Sequence, residues 1–325
     1  MKPRHAALAV LVAAIWGVNF VAIEIGLQNF PPLLFSGLRF LAAAVPAVFL
    51  VGPPRVAWKW VVAVGLILGV AKFGFVFTGM YAGMPAGLSS LVLQSQAIFT
   101  VVFAVVLLRE RPRRAQLIGI GVASVGILVI ALDYGVGSPL GAFALVIAGA
   151  ACWGLSNVVT RHAKPPDALS FIVWVSAVAV LPLLGLSLLV EGVDADLAAL
   201  AAFDWSGAAT LGYVAWISTL LGFGVWGFLL REYDAGTVAP FSLLVPVAGM
   251  LSAWLVLGEE LTLLRCTAGL LVIAGMASTA IKPRQPEPGN APSLAAFNRV
   301  SVLSKSGSDL MNPSSITCES PPPSR

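Results

Sequence analysis

The chain has 325 residues, of which 58% are apolar and only 10% charged, with 19 basic against 15 acidic residues for a net charge of +4. Soluble globular domains carry about a quarter charged residues, so this composition excludes one and selects the lipid bilayer as the principal partner. Three cysteines and two histidines without metal or redox spacing exclude a metal centre, and nothing in the chain calls for a cofactor.

A run of about 20 apolar residues rising 1.5 Å each spans the hydrocarbon core, about 30 Å thick. Ten such runs are predicted, at 6–26, 32–51, 59–80, 85–108, 115–132, 140–161, 168–190, 206–230, 237–257 and 262–281. They are too long and too little alternating for barrel strands, so the expected fold is an all-α integral membrane protein.

The first run follows Lys2 and Arg4 like a signal peptide, but Trp16, Asn19 and Glu24 interrupt it and no cleavage motif follows, so it reads as a retained helix. Glu24 and Arg39, near the outer ends of the first two helices, are a candidate gate or ion pair; snorkelling is the milder reading. Lys72 in "GVAKFGFVF" is the costliest residue, since an ammonium at mid-helix carries an insertion penalty of about 2.5–3.5 kcal/mol. It reads as a cationic partner for a substrate carboxylate.

In the fourth run, "PAGLSSLVLQSQAIFT", Gln94 and Gln96 point about 200° apart around the helix. Gln96 reads as an interhelical hydrogen bond, whereas Gln94 reads equally as helix glue or as a pathway residue. Trp153 and Asn157, four residues apart, echo Trp16 and Asn19, three residues apart, and these four are candidates to line a pocket. Trp216 and Trp226 in the eighth run are further candidates, with plain packing as their default. Pro240 and Pro246 interrupt the ninth run as a candidate hinge. From residue 282 onward the chain is rich in Pro, Ser, Gly and Asn and is expected to be a disordered cytoplasmic tail.

Basic residues collect in cytoplasmic loops. With the N-terminus inside, the inner loops and both ends hold Lys2, Arg4, Arg55, Lys59, Arg109, Arg111, Arg113, Arg114, Arg161, Lys164, Arg231, Lys282 and Arg284, while the longest outer loop holds Glu191, Asp194, Asp196 and Asp204. Both termini are therefore predicted to be cytoplasmic, and the positive charge belongs to these loops and not to a nucleic-acid face.

A shift of 149 residues superimposes Ala86 and Gly87 on Ala235 and Gly236, Glu110 on Glu259, and Gly126 on Gly275; "IWGVNFV" likewise recurs as "CWGLSNVV". Residues 1–132 and 133–281 are thus read as two repeats of five helices, followed by the tail at 282–325. Five is odd, so the second copy enters from the opposite side. Such inverted repeats can exchange conformations around one central site, as secondary carriers do.

"WGVNFV", "PPLLFSGLRF", "GMPAGLSSLVLQSQAIFT", "RERP", "VWGFLL", "VAPFSLLVPVAG" and "LGEELT" together resemble the EamA type of the drug/metabolite transporter superfamily, over residues 6 to 281. The wording is most similar to its members that export O-acetylserine and cysteine. The resemblance implies a secondary transporter of the inner cell membrane that exports small amino-acid metabolites. Lys72 departs from the neutral glutamine of those exporters, and Glu259-Glu260 from their acidic residue followed by Arg.

The expected substrate site comprises Trp16, Asn19, Lys72, Gln94, Trp153, Asn157, Trp216 and Trp226, with Glu24 and Arg39 as gate. The substrate is expected to be a small molecule, an amino acid or a derivative. Broader drug or metabolite efflux is the alternative, and a non-transporting membrane sensor acting through the tail is a third reading. No cluster of His, Cys or carboxylates at one depth supports an enzyme. The sequence carries no signal for an oligomeric state.

Overall fold

The computed structural model describes residues 1–135 and 140–280, and the tail expected over 282–325 lies outside them. Every regular element among the described residues is helical. Eight helices are long and apolar enough to cross a membrane: α1 (Pro3–Gly26), α3 (Trp58–Tyr81), α4 (Ala86–Leu108), α5 (Arg114–Tyr134), α6 (Leu140–Ala163), α7 (Ala168–Ala201), α8 (Trp205–Glu232) and α9 (Gly236–Leu257). Two shorter apolar helices are α2 (Pro32–Val48) and α10 (Leu263–Ser278). Apolar side chains point outward as well as inward, Leu132, Leu181 and Leu189 being largely exposed. That distribution suits lipid in place of water.

Without a hydrophobic force between helices in lipid, close packing needs small residues at the contacts. The α5–α10 pair illustrates it. A Cβ on Gly126 would sit 2.8 Å from the Ala268 carbonyl oxygen, and one on Gly275 would sit 2.5 Å from the Gly119 carbonyl oxygen. Each of two glycines spaced by the 149-residue shift therefore faces the other's helix. An ion pair between Arg265 Nε and Asp133 Oδ2, 2.9 Å, fastens the same two helices near one end. Elsewhere α1 lies along α9, α2 along α7, and α6 against both α3 and the second half of α4.

Five of these helices change their winding midway. α3 is π-helical over Gly65–Lys72 and α8 over Tyr213–Leu221; α4 tightens to a 3₁₀ turn over Leu93–Ser95 and α9 over Ala239–Leu243. Pro240 lies in the last of these, where its missing N–H makes a regular turn impossible. The segment after residue 190, expected as an outer loop, instead continues α7 through a π turn and a further helical stretch to Ala201. Its acids serve the fold there. Glu191 accepts hydrogen bonds from the Leu33 and Leu34 amides at 2.7 and 3.0 Å, satisfying free donors at the start of α2.

Candidate transport site

The unusual winding of α3 and α8 places Lys72, Ser218 and Thr219 in the interior. Gly65 and Gly69 lie so close to α7 that added Cβ atoms would approach Val178 to 2.7 Å and Ala179 to 2.5 Å. The π turn that begins at Gly65 ends at Lys72, which is only 6% exposed. Its ammonium lies 3.3 Å from the Phe73 ring centroid and 5.0 Å from that of Trp153 on α6. A desolvated cation–π contact is worth about 2 kcal/mol. The rings thus offset part of the insertion penalty, and among the described residues no acid pairs with Lys72.

Arg39 of α2 reaches the same ring. Its guanidinium carbon is 4.0 Å from the Phe73 centroid and 4.8 Å from that of Phe40, and the residue is 3% exposed. Nη2 donates to Thr219 Oγ1 at 2.9 Å, while Nε and Nη1 are buried with no partner. Thr219 belongs to the π segment of α8 and itself donates to the Val214 carbonyl, five residues back. The neighbouring Ser218 carbonyl accepts the Trp16 indole N–H at 3.0 Å. Trp16 also packs on Phe223 and Trp226, with ring centroids 5.3 and 5.2 Å apart. Gly222 makes room for it, since a Cβ there would lie 2.6 Å from the indole nitrogen.

One turn beyond Trp153 on α6, Asn157 Nδ2 donates to Gln96 Oε1 at 2.8 Å and to Thr100 Oγ1 at 3.2 Å. Gln96 thus ties α4 to α6. Gln94, at the tight turn of α4, is buried and makes no side-chain hydrogen bond among the described residues. Asn19 is buried too, with its Oδ1 unpartnered.

Of the residues singled out in the sequence, Trp16 and Trp226 therefore meet, Lys72 and Trp153 meet, and Arg39 joins them through Phe73. Trp216 does not. It is 54% exposed, and its indole donates to the Ala42 carbonyl at 2.9 Å on the outer side of the bundle. Glu24 and Arg39 do not pair either, because Arg39 turns into the aromatic cluster from two turns inside α2. Glu24 feels the charge of Glu259 instead, and its Oε2 is buried without a partner.

Glu259 itself escaped the sequence reading as a contact, although the 149-residue shift marked it. Its carboxylate accepts the Gly87 amide through both oxygens, at 3.3 and 3.1 Å, where α4 begins. Burial raises its carboxyl above the ordinary carboxylate value, against the opposing pull of the Gly87 and Ala86 amides and of Arg265. Its counterpart Glu110 makes a half-exposed ion pair with Arg161 at 3.0 Å. Phe73, Ser218 and Thr219 were also missed, since nothing in their residue types announces a polar interior.

Among the described residues the arrangement is a bundle core with two cations in no ion pair, several unsatisfied polar atoms and no catalytic constellation. Comparison with known proteins bears on what it serves. The EamA-like transporter family matches residues 4–132 and again 140–281. The chain belongs to that family. This EamA-like transporter is 41% identical over 282 residues to a probable amino-acid metabolite efflux pump of Salmonella typhimurium, covering 85% of the chain and 94% of that protein. It is 38% identical, with the same coverage, to a protein of the same description from Escherichia coli. A solved crystal structure at 18% identity shares the fold, with a TM-score of 0.58 over 86% of this chain and 96% of the other. The EamA-like transporter is accordingly a multi-pass membrane protein that moves a small molecule, and not an enzyme.

Proposed function

We propose that this transporter exports small amino-acid metabolites, O-acetylserine and cysteine among them, across the inner membrane by alternating access. The observation that carries this reading is the set of polar contacts between the two halves of the chain at mid-bundle: Trp16 to Ser218, Arg39 to Thr219, and Asn157 to Gln96. The proposed substrate site is built from these contacts together with Asn19, Lys72, Gln94, Trp153 and Trp226. The names of the two bacterial relatives support the amino-acid character of the cargo.

In this reading α2 and α10 also cross, giving ten spans as two inverted five-helix repeats at 1–132 and 133–281. Two separate matches to the family model support the repeat, as do the paired π turns of α3 and α8 and the paired 3₁₀ turns of α4 and α9. The basic loops put both termini in the cytoplasm. Glu259 then holds the outer ends of α9 and α4 together, and its counterpart Glu110 ties the inner ends of α4 and α6 through Arg161.

The test is efflux of labelled O-acetylserine and cysteine from loaded cells expressing the wild type or Asn157→Ala at matched levels in the membrane. Export by the wild type and its loss in Asn157→Ala are expected. No export by the wild type above the empty-vector rate rejects these cargoes; undiminished export by Asn157→Ala rejects the site.

A further inference from the structure

We infer that the Arg39–Phe73–Lys72 stack is a double anion site, and that the preferred cargo carries two carboxylates, acidic amino acids being the amino-acid class that does so. This inference rests on the transport reading above and narrows its substrate class.

Both cations are more than nine-tenths buried. Their distances to the one ring centroid, 3.3 and 4.0 Å, limit their separation to 7.3 Å. Like charges held so close in a medium of low dielectric repel, and a group of opposite sign entering the site removes that cost. The protein does not supply it. Among the described residues the two ion pairs are Arg161–Glu110 and Arg265–Asp133, and neither includes Arg39 or Lys72.

The donors are free as well. Thr219 occupies only one of the three guanidinium nitrogens of Arg39, and the other two are buried with no acceptor. Among the described residues the Lys72 ammonium meets the rings of Phe73 and Trp153 and no acceptor. A buried donor without an acceptor is costly, and a charge-assisted bond to a carboxylate is the strongest way to satisfy it.

The two cations set the number of anionic groups. Both lie against Phe73, and a monocarboxylate would neutralise only one of the two charges. A small dicarboxylate neutralises both.

The experiment uses the full chain in vesicles of phosphatidylethanolamine and phosphatidylglycerol, measuring exchange of labelled L-aspartate and L-glutamate against L-serine and L-cysteine. The wild type is expected to exchange the acidic pair about ten-fold faster, the factor equivalent to one charge-assisted hydrogen bond. Lys72→Gln is expected to lower that acidic-to-neutral ratio by about the same factor. Exchange of the neutral pair without the acidic pair would overturn the double site and leave the transport reading standing. Exchange of none of the four, nor of O-acetylserine in the same vesicles, would overturn both. A wild-type preference that Lys72→Gln leaves intact would remove Lys72 from the site, and thereby the inference. The wild-type comparison holds whether or not an Arg39 variant folds.

Discussion

Lys72 and Arg39, from different helices, contact the ring of a single residue, Phe73, at 3.3 and 4.0 Å. The ring attracts each cation. Phe73→Leu keeps the apolar bulk and removes that attraction. It should lower the unfolding temperature in detergent and cut transport about ten-fold or more, on the scale of about 2 kcal/mol for a desolvated cation–π contact. Thermal unfolding and vesicle exchange on one preparation check this, and unchanged values in both would mean that the ring is only filler.

Trp16→Phe tests the indole N–H bond to Ser218 while keeping an aromatic ring against Trp226. Loss of one such bond should cost about 0.5–1.5 kcal/mol. Gly222→Ala attacks the same contact from the other side, because its new methyl group would meet the indole nitrogen at 2.6 Å. Both variants should blue- or red-shift tryptophan emission relative to the wild type. The glycine variant should show the larger loss of transport.

Gly275→Leu should separate α10 from α5, since even a Cβ there meets the Gly119 carbonyl at 2.5 Å. The expected result is a protein that inserts in the membrane but unfolds at lower temperature. Gly126→Leu should match it, because the two glycines play reciprocal parts. A cysteine pair crosslinked across α5 and α10 in the wild type and lost in either variant would report the separation directly.

Glu259 gives a pH dependence whose sign follows from burial. Its carboxyl is raised above the ordinary value where it sits on Gly87. The ionised form is therefore penalised in this arrangement relative to one in which Glu259 is hydrated. Acidification through the ordinary carboxylate range and just above it should favour the contact, and rising pH should weaken it. Thiol labelling of a cysteine placed beside Gly87, followed across pH, should slow on the acid side. Glu259→Gln should flatten the profile; a profile that survives the substitution would assign the titration elsewhere.

Much of this was legible in the residues. Glu110 with Glu259, and Gly126 with Gly275, announced a repeat through one constant shift, and the structure gives the glycines reciprocal contacts. Lys72 was conspicuous because a charge in lipid demands an explanation. What stayed hidden depends on winding. In a regular helix Trp216 and Trp226, ten residues apart, stand about 80° apart, near enough to share a pocket. The π turn over Tyr213–Leu221 changes that phase and leaves Trp216 outside the bundle while Trp226 meets Trp16. Hydrophobic pattern carries no mark of such a turn. Arg39 was misplaced for a related reason: counting along α2 gives depth, but only packing reveals that its side chain turns toward Phe73 and Thr219 and away from Glu24.

The wide turns of α3 and α8 have one more consequence. A π turn holds a surplus residue, and moving that surplus one position along the rod requires breaking and remaking a single backbone hydrogen bond while the ends stay docked. Each residue it passes is swung about 100° around the axis. Lys72 stands at the last position of one such turn, and Ser218 and Thr219 lie within the other. The groups that grip the interior are thereby mounted on a dislocation, able to rotate like beads on a twisted wire without any helix sliding against its neighbour.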